Sequence, residues 1–362
     1  MSKRSFRVAL AVVIGSVVLV LAIGGYFAHR ALAYPDAQHE GAGRDVEIEI
    51  KTGMTFPAIA QMLADKGVIA KPTWFRMYAM WEGATTNVKT GKYLMKDNLS
   101  PAQVLAVLIA GVKEVTTKVT LPEGKNMLEY FALIEKQKIA TAKELEAVAR
   151  DKEFLAQHAI PGDTADGYLF PDTYSFRVGE KPTVVIDRLI QRHQEVWNDL
   201  LAQHGRDAAK LKDKLKWSDH DILTMASIVE KEAVDPAERP RIAQVFMNRL
   251  TFPDFKTHRL ETDPTIRYGC EVPVQKSAAC QAWNIQDRLH TAQLRDKDNP
   301  YNTYEHEGLP PGPISNPGKR SLEAVLTPDG SDYLYFVAKD ARNHVFSKTF
   351  EEHKRNVDKY QK

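Results

Sequence analysis

Two acidic side chains, Glu230 and Glu232, close the stretch Trp217–Ala233 (WSDHDILTMASIVEKEA). Carboxyl groups on a helix edge are among the few side chains that can both give and take a proton. Ser218 is a preferred N-cap, and Asp221 three residues on is its capping-box partner. Trp217 before the cap and Ile222 at the fourth helical position can close a hydrophobic staple. Ile222, Met225, Ala226, Val229 and Ala233 then recur at helical spacing on one face. At about 100° per residue, Glu230 falls about 90° to one side of that face and Glu232 about 70° to the other. Both sit at a boundary between core and solvent, the kind of place where desolvation equips a carboxyl group for general-acid work. An amphipathic helix with two solvated glutamates fits the same pattern. Periodicity does not choose between the two.

Rival chemistries find little support. The triplets Lys51-Thr52-Gly53 and Lys89-Thr90-Gly91 are shared with penicillin-binding enzymes. Those enzymes also need a Ser-x-x-Lys nucleophile, and no serine here has lysine three places later. No GxSxG elbow, HExxH helix or P-loop occurs, and the 11 histidines lack ligand spacing, so neither a metal nor a cofactor is expected. A formal net charge of +2 and the lack of an arginine-rich stripe give no sign of nucleic-acid binding. Cys270 and Cys280 are too few for a disulfide framework but close enough to form one bridge; reduced, buried thiols are the alternative. The segment Asp166–Phe176 (DGYLFPDTYSF) is rich in aromatics and turn residues. Such rings suit the apolar face of a sugar, although core packing accounts for rings of this kind equally well.

The elements that must position these groups read as an α+β chain. Lys3, Arg4 and Arg7 precede an uncharged run, Val8–Ala28, which as a helix spans about 30 Å, the thickness of a bilayer core. We read residues 1–7 as a cytoplasmic tail, 8–28 as a transmembrane helix and 29–44 as a tether, placing the remainder outside the inner membrane, in the periplasm. A signal peptide cleaved near Ala31-Leu32-Ala33 is the competing reading. Residues 45–121 then alternate strands and short helices. Val46–Ile50, Lys92–Met95 and Val115–Leu121 read as strands, and Ser100, Pro101 and Gln103 open a capped helix. This small α+β module is similar to a LysM-like glycan-binding unit. Residues 122–362 form a larger α+β domain. It holds helices around Met127–Asp151 and Val184–Leu200, the Glu230 helix, a helix with Ile242, Val245, Phe246 and Leu250 inward, and a turn at Thr262–Thr265. Tyr301–Gly318 (YNTYEHEGLPPGPISNPG) is too rich in proline and glycine for helix or sheet and reads as a long, rigid loop. A short helix (Ser321–Leu326), a hairpin (Tyr333–Ala338 with His344–Ser347) and a terminal helix (Phe350–Tyr360) complete the chain.

Several segments occur together in a fixed order: Phe170–Tyr174 (FPDTY), Ala226–Glu232 (ASIVEKE), Thr262–Thr265 (TDPT), Tyr301–Tyr304 (YNTY), Gly308–Ile314 (GLPPGPI), Tyr333–Ala338 (YLYFVA) and His344–Ser347 (HVFS). With the single N-terminal anchor, they closely resemble the MltG (YceG-like) endolytic murein transglycosylases. The resemblance runs from the anchor to Tyr360. It implies a lyase cutting the β-1,4 bond between MurNAc and GlcNAc within peptidoglycan strands and leaving a 1,6-anhydro end. It also implies that the catalytic glutamate is the first of the SIVEKE segment, Glu230, and that partners are penicillin-binding proteins or membrane-embedded glycan polymerases. Asp166 stands where the family usually has glutamate and, if it orients substrate, reaches less far. Arg342-Asn343 replaces a glycine common in the family. Asn248, Asn302 and Tyr304 are further candidates for positioning substrate hydroxyl or amide groups. One carboxyl group suffices for this reaction when the substrate supplies the rest. Glu230 protonates the leaving oxygen, the acetamido group steadies the oxocarbenium-like centre, and the C6 hydroxyl attacks intramolecularly. A non-catalytic wall-binding scaffold and a conventional hydrolase are the alternatives, and reducing, anhydro or absent product ends separate the three.

Overall fold

The computed structural model describes residues 3–112 and 116–361, and the side chains of the first helix from Ile14 onward. The side chains of Lys3, Arg4 and Arg7, and Val115 of the third expected strand, lie outside the described residues. The chain divides into two units, Met1–Glu114 and Val115–Lys362.

In the first unit, helix α1 (Lys3–Ala33) contains the stretch Ile14–Ala33, long and apolar enough to cross a bilayer and not buried against protein. Strand β1 (Asp45–Ile50), helices α2 (Phe56–Asp65) and α3 (Pro72–Trp81), strand β2 (Gly91–Lys96) and helix α4 (Pro101–Ala110) follow. The two strands pair antiparallel, from Asp45 opposite Lys96 to Ile50 opposite Gly91. Alternation along β1 turns Ile48 and Ile50 inward and leaves Glu47 and Glu49 in water. Tyr93 and Met95 of β2 join them, and the helices add Ile59, Leu63, Phe75, Val104 and Leu108 to one core. Ser100 and Gln103 form the expected capping box at the start of α4.

The second unit opens with β3 (Thr116–Thr120), which pairs antiparallel with β4 (Thr173–Arg177). The module expected to run to residue 121 therefore lacks its last strand: the amides and carbonyls of β3 find their partners in β4, 53 residues further on, where Thr120 faces Thr173. Between the two strands lie α5 (Met127–Lys136), α6 (Ala142–Ala149) and α7 (Lys152–Gln157). Asn126 with Glu129, and Thr141 with Glu144, build capping boxes on the first two of these helices. Helix α8 (Pro182–Leu215) overruns the expected end at Leu200, with one non-helical residue at His204. The lysine-rich stretch beyond Leu200 stays helical because Ala208 and Leu211 carry the buried stripe onward.

Helix α9 (Asp219–Glu232) comes next, then a single 3-10 turn (Pro236–Glu238), α10 (Arg239–Thr251), α11 (Asp263–Glu271), two four-residue turns of helix, α12 (Ala278–Gln281) and α13 (Thr291–Leu294), and α14 (Lys319–Leu326). Asp235 caps the 3-10 turn, and α10 begins only at Arg239. Thr262-Asp263-Pro264-Thr265 is no isolated turn but the start of α11, with proline in the first turn, where a missing amide hydrogen costs nothing. The hairpin β5 (Tyr335–Ala338) and β6 (His344–Ser347) and helix α15 (Phe350–Tyr360) end the chain. At the centre of this unit, α9 packs against α10, α11 and α14. Every residue from Ile222 to Val229 is buried, polar Thr224 and Ser227 included. The one-sided amphipathic helix read from the sequence is thus an interior helix covered on most of its circumference. The architecture is α+β in both units.

Candidate active site

The capping box at Ser218 and Asp221 starts α9, with each side chain accepting from the other's backbone amide. Glu230 leaves the last turn of that helix, its side chain only 6% exposed, and all of its neighbours within bonding distance are donors. Arg239 at the start of α10 gives Nη2–H to Oε1 at 2.9 Å. On the other oxygen, Gly318 donates its amide to Oε2 at 3.1 Å and Ser321 its hydroxyl at 2.7 Å. Gly318 is the N-cap of α14 and Ser321 lies in its first turn, so Oε2 sits at the positive end of a helix dipole. Three elements, α9, α10 and the start of α14, therefore converge on one carboxyl group.

A second carboxylate stands beside it. Glu123, on the turn between β3 and α5, has Oε2 3.8 Å from the same Arg239 nitrogen, and its side chain is 48% exposed. Burial, and then the nearby charge of Glu230, push the Glu123 carboxyl above its ordinary pKa. Its other oxygen comes so close to Gly318 that any side chain at 318 would collide with it. Lys231 anchors the same turn, donating Nζ–H to the Gly124 carbonyl at 3.1 Å.

The proline-rich loop is tied down around this pair. Ile314 donates its amide to Ser227 Oγ at 2.9 Å and Ser315 its hydroxyl to the Ser227 carbonyl at 3.1 Å, one turn before Glu230. Asn316 bridges three segments: its Nδ2–H groups reach the Lys125 carbonyl and Asp166 Oδ1, and its Oδ1 accepts from the Leu169 amide. Gly167 has φ +86°, and a Cβ there would lie 2.4 Å from Pro313 Cβ, so only glycine fits. Tyr168 Oη is 2.9 Å from His220 Nδ1, and His220 Nε2 is 3.2 Å from the Pro311 carbonyl oxygen. Residues 312–318 are all buried, which makes the loop rigid despite its composition. Alongside runs a cleft of about 300 Å³, lined by Asn126, Lys231, Asp263, Arg267, Glu271 and Ile314 among others. Its mixture of cations, carboxylates and amides suits a polar ligand. Among the described residues no cluster of three histidine, cysteine or acidic ligands offers a metal site.

Comparison with known proteins places the chain in a family. The YceG-like family model matches residues 48–359, which span most of both units. The chain belongs to the YceG-like family. An endolytic murein transglycosylase of Bacillus subtilis is 32% identical over 355 residues, covering 94% of this chain and 91% of that protein. Another from Streptococcus pneumoniae is 26% identical, over 93% of this chain and 62% of its own length. The crystal structure of a yceG-like protein from Listeria monocytogenes superposes with a TM-score of 0.54 at 31% identity, covering 86% of this chain and 98% of that one.

Within this YceG-like frame the residues singled out by sequence separate sharply. Glu232 points away from Glu230's neighbours: its Oε1 accepts from the Thr262 hydroxyl, and burial raises its carboxyl pKa. Asn302 is fully buried, donating to the carbonyls of Gln293, Leu294 and Asp296 and accepting from the Tyr304 amide. Asn248 likewise donates to the Ser331 and Tyr333 carbonyls and accepts from Gln244. Both side chains are buried, with their amide hydrogens committed to backbone carbonyls, and hold loops. Asp166, 1% exposed, braces Asn316 instead of meeting solvent, which corrects its assignment as a substrate contact. Burial above all raises its carboxyl pKa to about 7, against the opposing effect of hydrogen bonds from Met127, Tyr268, Gly167 and Asn316. Tyr304 alone of these candidates keeps an exposed hydrogen bond, its hydroxyl on Asp263 Oδ1 at 2.9 Å at the cleft. Cys270 and Cys280 are bonded to each other, linking α11 to α12. Sequence reasoning missed Arg239, Ser321, Gly318 and Glu123. The Leu-Pro-Glu-Gly turn after a strand was the one available sign of the last.

Proposed function

We propose that this chain is an endolytic murein transglycosylase, cutting the MurNAc-β-1,4-GlcNAc bond inside peptidoglycan strands and closing a 1,6-anhydro ring, with Glu230 as the proton-transfer group. The observation that carries this reading is the convergence of Arg239, Gly318 and Ser321 on Glu230. Protonated Glu230 gives its proton to the leaving glycosidic oxygen. The carboxylate left behind meets three fixed donors, which lower the energy of the charge that develops in the transition state. The same carboxylate then takes the proton of the C6 hydroxyl as that oxygen closes on C1, where its attachment gives it the high effective molarity needed to outrun water. Glu123, half in solvent across Arg239, supplies a second negative charge toward an oxocarbenium-like centre and keeps Arg239 in place. Tyr304 and Asp263 offer hydroxyl and carboxylate contacts at the cleft.

The β-α-α-β order of the first unit supports a LysM-like role in holding glycan, and α1 supports a single-pass anchor in the inner membrane with the rest in the periplasm. Such an enzyme works on strands as membrane-bound glycan polymerases or penicillin-binding proteins extend them. The decisive experiment treats isolated sacculi with Glu230→Gln and reads the products by mass. Loss of anhydro ends, with a turnover drop of about 10²–10⁴-fold, is expected. Undiminished anhydro product would refute the assignment, and reducing ends in the native digest would indicate a hydrolase. Glu232→Gln retains most of the activity.

A further inference from the structure

Helix α3 carries an apolar face that no other part of the first unit covers among the described residues. Phe75 and Ala79 point into the core, whereas Met77, Met80 and Trp81 are 57%, 67% and 68% exposed on the outward face. Such a cluster of large apolar side chains on a ten-residue helix does not stay in water without a reason. Its location supplies one. Tyr34 is the first residue after α1, and its hydroxyl donates to the Lys71 carbonyl at 3.1 Å, at the N-cap of α3. Its ring lies against Trp74, centroids 5.9 Å apart, and Pro35 accepts from the Ala102 amide at 2.9 Å. The chain leaving α1 is therefore pinned at once to the start of α3. An apolar cleft of about 170 Å³ opens at this junction, lined by Arg30, Ala33, Tyr34, Lys71, Trp74 and Leu99 among others. Exposed Arg76 adds a further cation on the helix.

From this we propose that α3 lies in the outer headgroup layer of the bilayer that α1 crosses, with Met77, Met80 and Trp81 seated at the acyl boundary and Lys71 and Arg76 on anionic headgroups. The proposal rests on the reading of α1 as a membrane span. An apolar face carrying tryptophan, with basic side chains beside it, is the usual composition of an interfacial helix. The consequence is positional: the first unit is held flat against the membrane by its own surface as well as by its tether.

The test uses the full chain in nanodiscs of phosphatidylethanolamine and phosphatidylglycerol, with a nitroxide attached in turn to Leu19→Cys, Met80→Cys and Glu49→Cys. Glu49 lies on the exposed face of β1. Collision with oxygen reports lipid and collision with a nickel chelate reports water. The oxygen-to-nickel ratio at position 80 is expected to be several-fold above that at position 49 and to approach that at position 19. A ratio at 80 equal to that at 49, with position 19 still lipid-shielded, would overturn the docking while leaving the anchor intact. Water access at position 19 would overturn the anchor and the docking with it.

Discussion

At the scale of single residues, the site is defined by charge balance around Arg239. This side chain is 8% exposed, and a buried guanidinium requires carboxylate partners; Glu230 and Glu123 provide them from two different elements. Replacing Glu123 with glutamine keeps size and removes charge at a half-exposed position. The expected outcome is a turnover lower by about tenfold to a hundredfold with little change in melting temperature, measured on isolated sacculi beside a thermal melt. Asp166 makes a different prediction. Its folded pKa is near 7 against an ordinary value of 3.8, so the proton is bound more tightly in the folded state. Between about pH 4 and pH 7 only the unfolded chain releases that proton, so stability falls as pH rises through this window and levels off above it. The slope from this group approaches about 1.4 kcal/mol per pH unit. Asp166→Asn should flatten that part of the melting-temperature profile, and an unchanged profile would remove Asp166 as its cause.

At the scale of elements, α9 and the loop 301–318 act as one assembly. The buried helix offers its Ser227 carbonyl and hydroxyl to the loop, and the loop returns the N-terminus of α14 to Glu230. The segment Asp166–Phe170 locks the loop from the far side, with Gly167 against Pro313. Gly167→Ala combines a left-handed backbone with a collision, so a loss of about 1–3 kcal/mol is expected. Denaturant unfolding monitored by circular dichroism reads the loss, and activity should fall further than stability alone explains, because the loop sets the position of Gly318. The limits of α8 and α11 make the same point about elements. Gly205 and the proline at 264 signal interruption locally, yet buried contacts at Ala208, Leu211, Thr265 and Ile266 decide for helix.

At the scale of the whole molecule, the chain divides into two units with separate cores, the first of them opening with one apolar helix. The apolar run, the alternation of β1, the capping boxes at Ser100 and Ser218, the terminal hairpin and the order of short motifs were legible in the sequence. Each depends on interactions within a few residues or on a period set by backbone geometry. Glu230 as the choice over Glu232 came from resemblance, since helical periodicity places both at a boundary. Only the tertiary structure separated them, by bringing Arg239, Gly318 and Ser321 to one and Thr262 to the other. It also withdrew Asn248, Asn302 and Asp166 from the list of substrate contacts, because whether a polar side chain meets solvent or a buried carbonyl depends on chain packed from elsewhere. The strand at residues 116–120 could be recognised from its alternation, but its partner could not. Strand pairing is a long-range choice among exposed edges, and local pattern carries no information about which edge lies near.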